Sequence, residues 1–175
     1  RRTALQAQTL ATRPLELPAI DLRHLRAMTD DTGLLQHAAF NLPKYEEGYC
    51  IDDNARALLL MSMLEAAGTD DPDGIRALSA RYLAFVRYAF DRESGRFRNF
   101  LSYSRQWLEP CGSEDSHGRT LWALGGVVGR AAEPGRLSLA GDLFQSALPA
   151  AAAFSSPRAW AYTLLGIEEY LRAFR

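Results

Sequence analysis

The sequence predicts an all-α domain in which helical hairpins stack on one another. Six segments place apolar residues at three- and four-residue spacing, as amphipathic helices do. A motif at the start of one such segment recurs 63 residues later, and repeats of this kind usually stack into a ring or a solenoid. The composition, 47% hydrophobic and 23% charged, is that of a globular domain with a buried core. A simple helical bundle is the alternative.

The chain divides into a short arm and a domain. Residues 1–18 contain Pro14, Pro18 and a polar stretch, a composition typical of a linker or docking arm. The domain is predicted over residues 19–175. Its periodicity predicts helices at about 20–29, 53–67, 74–90, 116–131, 136–153 and 157–174.

Acids and a serine stand where four of these helices begin. Their side chains can accept hydrogen bonds from the free N–H groups of a first helical turn. The predicted N-caps are Asp52 or Asp53, Asp73, Asp115 and Ser156. Pro157 suits a first helical position, because its missing N–H would be unpaired there anyway.

Between the third and fourth helices the pattern changes to alternation. Large residues at 97, 99, 101 and 103 alternate with a second set at 98, 100, 102 and 104. This alternation predicts a short β-hairpin near 96–109 or a long functional loop.

The repeated motif is D-x-x-x-R-x-L, which occurs at residues 52–58 and again at residues 115–121. A third helix opens at Arg158 without the acid. We expect the Asp-led helices to form one layer and the helices at 74–90 and 136–153 the other. Three glycines in the fourth helix would let a neighbouring backbone approach closely, as an inner layer requires. They are Gly125, Gly126 and Gly129.

Charge and composition exclude several classes of protein. Twenty basic residues against twenty-one acidic ones give a net charge of −1 with no long run of either sign, which argues against nucleic-acid binding. No apolar stretch approaches the roughly 20 residues of a membrane span, so a soluble protein is expected. No signal-peptide h-region is seen, which favours the cytoplasm. Cys50 and Cys111 lack a CxxC partner and are predicted to be free thiols. No metal or cofactor is expected, because acids and histidines show no ligand spacing such as HExxH.

The first candidate site is the loop at residues 45–56, which combines acids with aromatic residues. Aromatic rings offer an apolar face to sugar C–H groups, and carboxylates hydrogen-bond hydroxyls, so the composition suits a saccharide. The alternative is structural. Asp52 would then cap the helix and pair with Arg56 four residues on, an interaction of roughly 0.2–0.5 kcal/mol.

The second candidate site covers residues 107–119, and by the repeat it opens the equivalent helix. Both acidic clusters should therefore lie at the same end of the layer. Two carboxyl groups facing one cleft are what cleavage of a glycosidic bond needs, one as acid and one as base or nucleophile. The alternative is again a cap, with an Asp115–Arg119 pair and His117 as a buried imidazole. His24 and His37 stand alone and are expected to be structural.

The two stretches at residues 48–58 and 112–119 resemble the signature stretches of a six-hairpin glycosidase-like domain. That domain often follows a family 4 glycosyltransferase or accompanies mannoside phosphorylase-like enzymes. The resemblance runs from about residue 21 to the C-terminus and implies an (α/α)6 toroid whose acidic loops line a saccharide cleft. With about five or six helices, the chain would be half of a toroid. Its open inner faces would expose apolar surface, which predicts a homodimer, a missing complementary half-domain or poor solubility.

These observations predict a carbohydrate-active domain that processes glycosidic linkages of an oligosaccharide or glycoside. The candidate acid/base residues are Asp52, Asp53, Glu114 and Asp115. The candidate substrate-binding residues are Tyr49, Asn54, Arg56, Trp107, His117 and Arg119. One rival is a non-catalytic saccharide-binding or scaffolding module attached to a glycosyltransferase. The other is a helical interaction domain in which the acids are purely structural.

Overall fold

The computed structural model describes residues 20–175, and most of these residues are helical. The prediction of an all-α domain is therefore confirmed at the level of secondary structure, whereas the predicted arm, residues 1–18, lies outside the described residues. The helices of the described part are Arg23–Ala27 (α1), Ile51–Ala67 (α2), Pro72–Ala89 (α3), Glu114–Arg130 (α4), Pro134–Ala147 (α5) and Pro157–Leu171 (α6).

Three helices are shorter than their sequence pattern predicted, among them α6, which ends at Leu171 and is followed by the 3-10 helix Arg172–Phe174. The first spans only five residues and carries no buried side chain, so little packing extends it to the predicted 20–29. The fifth ends at Ala147, and the 3-10 helix Leu148–Ala153 completes the predicted segment. Pro149 explains this change, because it has no N–H to continue the α-helical hydrogen bonds.

Short antiparallel strand pairs connect the helices. They are β1 (Ala38–Ala39) with β2 (Leu42–Pro43), β3 (Tyr49–Cys50) with β6 (Phe100–Leu101), and β4 (Phe90–Asp91) with β5 (Arg96–Phe97). The hairpin predicted near 96–109 runs from Phe100 to Leu108, whose N–H donates to the Phe100 carbonyl over 3.0 Å. The first two residues of the predicted segment form β5, which pairs with the preceding strand β4 and takes no part in this hairpin.

The long helices form two layers. α2, α4 and α6 lie side by side, α3 packs on α2, and α5 packs on α4. Asp52 in the first turn of α2 pairs with Arg119 in the second turn of α4, and Asp115 of α4 accepts a hydrogen bond from the residue preceding α6, Ser156. These contacts near the helix starts mean that the three helices of this layer run parallel, with their N-termini at one end of the molecule.

The repeat in the sequence is also a repeat in structure. α2 and α4 each have 17 residues, and their first residues, Ile51 and Glu114, are 63 positions apart. Their N-caps, Cys50 and Ser113, keep the same offset. The predicted spacing of the two Asp-led helices is thus the spacing of two equivalent structural elements.

Glycines set the distance between α4 and α6. A Cβ on Gly125 would collide with the Gly166 carbonyl oxygen, and one on Gly129 with the Glu169 carbonyl oxygen. The close backbone approach predicted for these two glycines is therefore present. Gly126 instead faces the Leu59 side chain of α2.

The N-caps differ from three of the four predicted ones. Ser156 caps α6 as predicted, but α2, α3 and α4 are capped by Cys50, Asp71 and Ser113. The acids predicted as caps, Asp52 or Asp53, Asp73 and Asp115, lie within the first turn of their helices. There they complement the positive end of the helix dipole and keep their carboxylates free for other contacts.

One hydrophobic core spans the layers and the strand pairs. Ile51, Leu58, Leu121 and Leu124 are fully buried in this core. Within residues 20–175, no helix has both the length and the apolar character needed to cross a bilayer.

Candidate functional site

A polar cleft of about 510 Å³ opens at the N-terminal end of the α2, α4 and α6 layer. Parallel helices bring their first turns to this end, and the loops before β1 and around β6 complete the walls. Five of the ten predicted site residues line it: Asp52, Asp53, Arg56, Asp115 and Arg119. The other lining residues are Gln36, His37, Cys50, Asn99, Phe100, Ser113, Ser116 and Arg158.

Asp52 is the most tightly held acid of the cleft. Its Oδ1 lies 2.9 Å from Nε of Arg119, and its Oδ2 accepts a hydrogen bond from Nη1 of the same guanidinium over 3.1 Å. Arg56, one turn on in α2, pairs with Asp52 as well. With both carboxylate oxygens occupied, Asp52 serves chiefly to fix α2 against α4.

Asp53 has one ion pair and one weak hydrogen bond. Its Oδ1 lies 3.1 Å from Nη2 of Arg56, and its Oδ2 accepts a hydrogen bond from Sγ of Cys50 over 3.1 Å. Burial, together with the negative charge of Asp53, raises the pKa of the Cys50 thiol. The thiol therefore stays protonated and acts as a donor to Asp53, not as a nucleophile.

Asp115 occupies in α4 the position that Asp52 has in α2. Its Oδ1 accepts a hydrogen bond from Oγ of Ser156 over 2.6 Å, and its Oδ2 lies 3.2 Å from Nη1 of Arg158. Arg158 replaces the acid in the third helix of the layer, so the third repeat supplies the cation that pairs with the second. This pair is looser than that of Asp52, because Arg158 is mostly exposed.

Glu114, the remaining predicted acid, does not line the cleft. Its Oε2 accepts hydrogen bonds from the backbone N–H groups of Ser156 (2.7 Å) and Ser155 (2.9 Å), and these bonds lower its pKa. It thus supports the start of α6. Consecutive helical residues point about 100° apart, which is why Asp115 reaches the cleft and its neighbour does not.

Tyr49 and Trp107, predicted to stack on sugar rings, lie away from the cleft. Tyr49 is buried, and its hydroxyl donates to Oδ2 of Asp30 over 2.5 Å. Desolvation and this hydrogen bond raise the pKa of Tyr49. The Trp107 ring packs against Phe85 and Tyr88. Both aromatic rings therefore pack inside the protein and do not line the cleft.

Asn54 and His117, equivalent positions in the repeat, are fully buried. Asn54 accepts from the N–H of Leu34 and donates to the carbonyls of Leu34 and Cys50, which ties the loop before β1 to α2. His117 Nε2 lies 3.0 Å from the Ala147 carbonyl, an oxygen that only accepts, so Nε2 carries the proton. Burial lowers the pKa of His117 to about 4.

The cleft also has lining residues that the site prediction did not include. The sequence could have indicated Phe100, because two sets of residues alternate over 97–104 and every second side chain of such a strand faces outward. It could also have indicated Arg158, as the opening residue of the third helix. No sequence pattern indicated Gln36 or Asn99, because the β3–β6 pairing brings their segments together from distant parts of the chain.

A larger groove of about 630 Å³ lies between α3 and α5. Its lining is mainly apolar, with Leu83, Leu139 and Tyr88 among its residues. Its buried guanidinium, Arg136, already pairs with Glu65 at 2.7 Å. The groove therefore offers packing surface, whereas the cleft holds the concentration of carboxylates, guanidiniums and hydroxyls that chemistry or polar recognition needs.

Within residues 20–175, no cluster of three or more histidine, cysteine or acidic side chains has a geometry that holds a metal ion. Comparison of the chain with protein-family models, curated proteins and solved structures gives no match. The arrangement of the cleft itself is therefore the basis for a functional assignment.

Proposed function

We propose that this chain is part of a carbohydrate-active protein and that the cleft binds an oligosaccharide or glycoside. The observation that carries the proposal is the convergence of three acids, three arginines and several uncharged polar side chains on one cleft. Sugar hydroxyls both donate and accept hydrogen bonds, so they need a wall that offers both kinds of group. The volume of the cleft is in the range of small-molecule sites.

The proposed activity is processing of a glycosidic linkage by paired carboxyl groups. One group protonates the leaving oxygen and the other activates water or attacks the sugar. Asp53 and Asp115 are the acids best suited to these roles, because each has fewer ionic contacts than Asp52. In this proposal Asp52 and Arg119 hold the cleft in shape, and Arg56 orients Asp53.

The resemblance to six-hairpin glycosidase-like domains remains part of the proposal. Two parallel layers support it, with α2, α4 and α6 corresponding to inner helices of a toroid and α3 and α5 to outer ones. The position of the cleft at the N-terminal ends of the inner layer suits acidic loops that line a saccharide site. In a full toroid, three more hairpins would complete the ring.

The exposed face of α6 is evidence that this domain has a binding partner. Trp160, Leu164 and Leu171, spaced four and seven residues apart, are exposed along it. Large contiguous apolar patches usually mark an interface. We propose that a second copy of the chain or a complementary half-domain covers this face.

The alternative, a non-catalytic saccharide-binding module attached to a glycosyltransferase, is favoured by one observation. Each of the three cleft carboxylates is paired with an arginine. A nearby guanidinium stabilises the ionised form of a carboxyl group, whereas a general acid must hold a proton. The two functions differ in turnover and not in binding.

The test combines binding and hydrolysis by the 175-residue chain on neutral and acidic oligosaccharides of both anomers. Asp53→Asn and Asp115→Asn should each abolish the release of reducing ends and leave binding within a few-fold of the parent. Asp142→Asn, an exposed position on α5, is the matched control and should change neither. Binding without turnover in the parent chain would establish the module, and absence of both would refute a carbohydrate function.

A further inference from the structure

We infer that the cleft selects an uncharged sugar, whose hydroxyls bind the side-chain amides of Gln36 and Asn99 and whose apolar face packs on Phe100. This inference rests on the proposed function and names the class of saccharide. Three independent observations carry it: the internal pairing of the cleft charges, two buried amide oxygens without donors, and an outward-facing ring on the wall.

The charged side chains of the cleft neutralise one another. Arg119 is bound to Asp52, Arg56 to Asp52 and Asp53, and Arg158 to Asp115. A uronate or sugar phosphate that entered would compete with an existing carboxylate for each guanidinium. Arg158, 70% exposed and 3.2 Å from its partner, is the guanidinium that an anion would reach most easily. An uncharged ligand breaks no ion pair.

The side-chain amide of Asn99 is buried, and its oxygen accepts no hydrogen bond from the described residues. The residue is 9% exposed, and its Oδ1 is buried without a hydrogen-bond donor among residues 20–175. Its backbone is fully engaged, since its N–H donates to Glu109 Oε1 (2.9 Å) and its carbonyl accepts from Ile51 (2.9 Å). The backbone bonds thus hold an unsatisfied polar side chain at the edge of the cleft.

Gln36 repeats this arrangement in the segment that bridges β3 on the side away from β6. Its Oε1 is buried without a donor among the described residues, while its backbone N–H donates to the Gly48 carbonyl over 2.8 Å. A buried acceptor without a partner destabilises the fold, and a hydrogen bond from a ligand hydroxyl removes that penalty. Rotation of an amide by 180° exchanges its oxygen and nitrogen, so each amide can accept from or donate to a hydroxyl.

Phe100 supplies the apolar part of the wall. In β6 the two side chains point to opposite sides, so Leu101 is fully buried and Phe100 is 39% exposed and lines the cleft. It follows Asn99 directly in the chain. An amide beside an aromatic ring matches a sugar, which has hydroxyls at its edge and C–H groups on its face.

The test measures binding of the 175-residue chain by calorimetry at pH 8, where histidine side chains are ordinarily neutral. The probes are neutral gluco- and manno-oligosaccharides of both anomers and size-matched oligouronates and sugar phosphates. We expect neutral probes to bind at least about tenfold more tightly. Gln36→Ala, Asn99→Ala and Phe100→Ala should each weaken binding about three- to tenfold, as the loss of one hydrogen bond or packing contact does.

Two controls separate recognition from folding. Gln106→Ala removes an exposed amide and Leu108→Ala an exposed apolar side chain of the same hairpin, both outside the cleft lining, and neither should change binding. If Asn99→Ala does not fold, the half-buried Gln36 still tests the role of the amides. Thermal unfolding identifies which variants keep the fold.

The outcomes distinguish this inference from the proposed function. Tighter binding of acidic probes, lost in Arg158→Gln, overturns the inference and leaves carbohydrate binding in place. If neutral probes bind equally well to the parent and to all three variants of Gln36, Asn99 and Phe100, the inference is also overturned and carbohydrate binding remains. If none of the probes binds, the proposed function and this inference both fail.

Discussion

Arg119 of α4 joins three parallel helices at the floor of the cleft. Its Nε lies 2.9 Å from the Asp52 carboxylate of α2, and its Nη2 donates to the Tyr162 hydroxyl of α6 over 2.9 Å. The same guanidinium also lies over the Tyr162 ring, 4.6 Å from its centroid. A single side chain thus links the first repeat to the third through the second.

Asp52→Asn should lower the free energy of unfolding by about 1–3 kcal/mol, because it leaves a mostly buried guanidinium without its counter-charge. Asp73→Asn is the matched control. Asp73 also pairs with an arginine on its own helix, Arg76, but its side chain is 91% exposed, so its loss should cost less than about 0.5 kcal/mol. Urea unfolding of the two variants measures the difference. Equal costs would show that the Asp52–Arg119 pair contributes no more than a surface pair.

His117 should make the fold sensitive to mild acid. Its pKa is lowered from 6.5 to about 4 by burial, so the unfolded chain binds a proton at a higher pH than the folded one. The stability contributed by the neutral imidazole is complete above pH 6.5 and is lost as the pH falls towards 4, by about 3 kcal/mol in all. The quantity to measure is the free energy of unfolding between pH 7.5 and 4.

The control for this pH dependence is the exposed His24. His117→Gln should flatten the curve between about pH 6.5 and 4, whereas His24→Gln should leave its slope unchanged. If the His117 variant keeps the slope of the parent, the acid sensitivity arises from other groups.

Gly125→Ala should destabilise the protein by about 2 kcal/mol or more, because the added methyl collides with the backbone of α6 at Gly166. Gly141→Ala provides the control, since its Cβ would meet only Val128 at 4.0 Å. There the better helix propensity of alanine should stabilise the fold by about 0.5–1 kcal/mol. Thermal unfolding of the pair is decisive, and two changes of the same sign would contradict the close packing of α4 and α6.

Self-association through α6 is expected for the isolated chain. Leu164 is 65% exposed on its apolar face, and sedimentation velocity over a range of concentrations should show a dimer that Leu164→Gln weakens. Leu108 is equally exposed, at 65%, but lies on the β-hairpin, so Leu108→Gln should leave the equilibrium unchanged. A parent chain that stays monomeric at all concentrations would rule out this interface.

The sequence predicted the helices and the layer well because both depend on local spacing. Apolar residues repeat with the helical period, and the recurrence of the Asp-led motif placed α2 and α4 in equivalent positions before any contact was known. The N-caps were less predictable. Several side chains near a helix start can act as a cap, and Cys50 and Ser113 stand two residues before the acids that seemed the natural choice.

The residues that line the cleft were harder to predict than the end of the helical layer at which they lie. Sequence spacing placed Glu114 and Asp115 together, but their side chains diverge around the helix, and only the second reaches the cleft. Aromatic residues at a loop serve a ligand or a core equally well, and Tyr49 and Trp107 serve the core. Gln36 and Asn99 come together only through long-range strand pairing, which leaves no trace in the local pattern.

The glycine contacts between α4 and α6 divide the cleft into a part that resists change and a part that accepts it. The floor is formed by helices in backbone contact, so few substitutions there leave their spacing intact. The roof consists of two-residue strands and turns around Phe100 and His37. Among proteins with this architecture, substitutions that change ligand preference should therefore accumulate in the roof. The residues of the floor should stay nearly the same in proteins of different specificity.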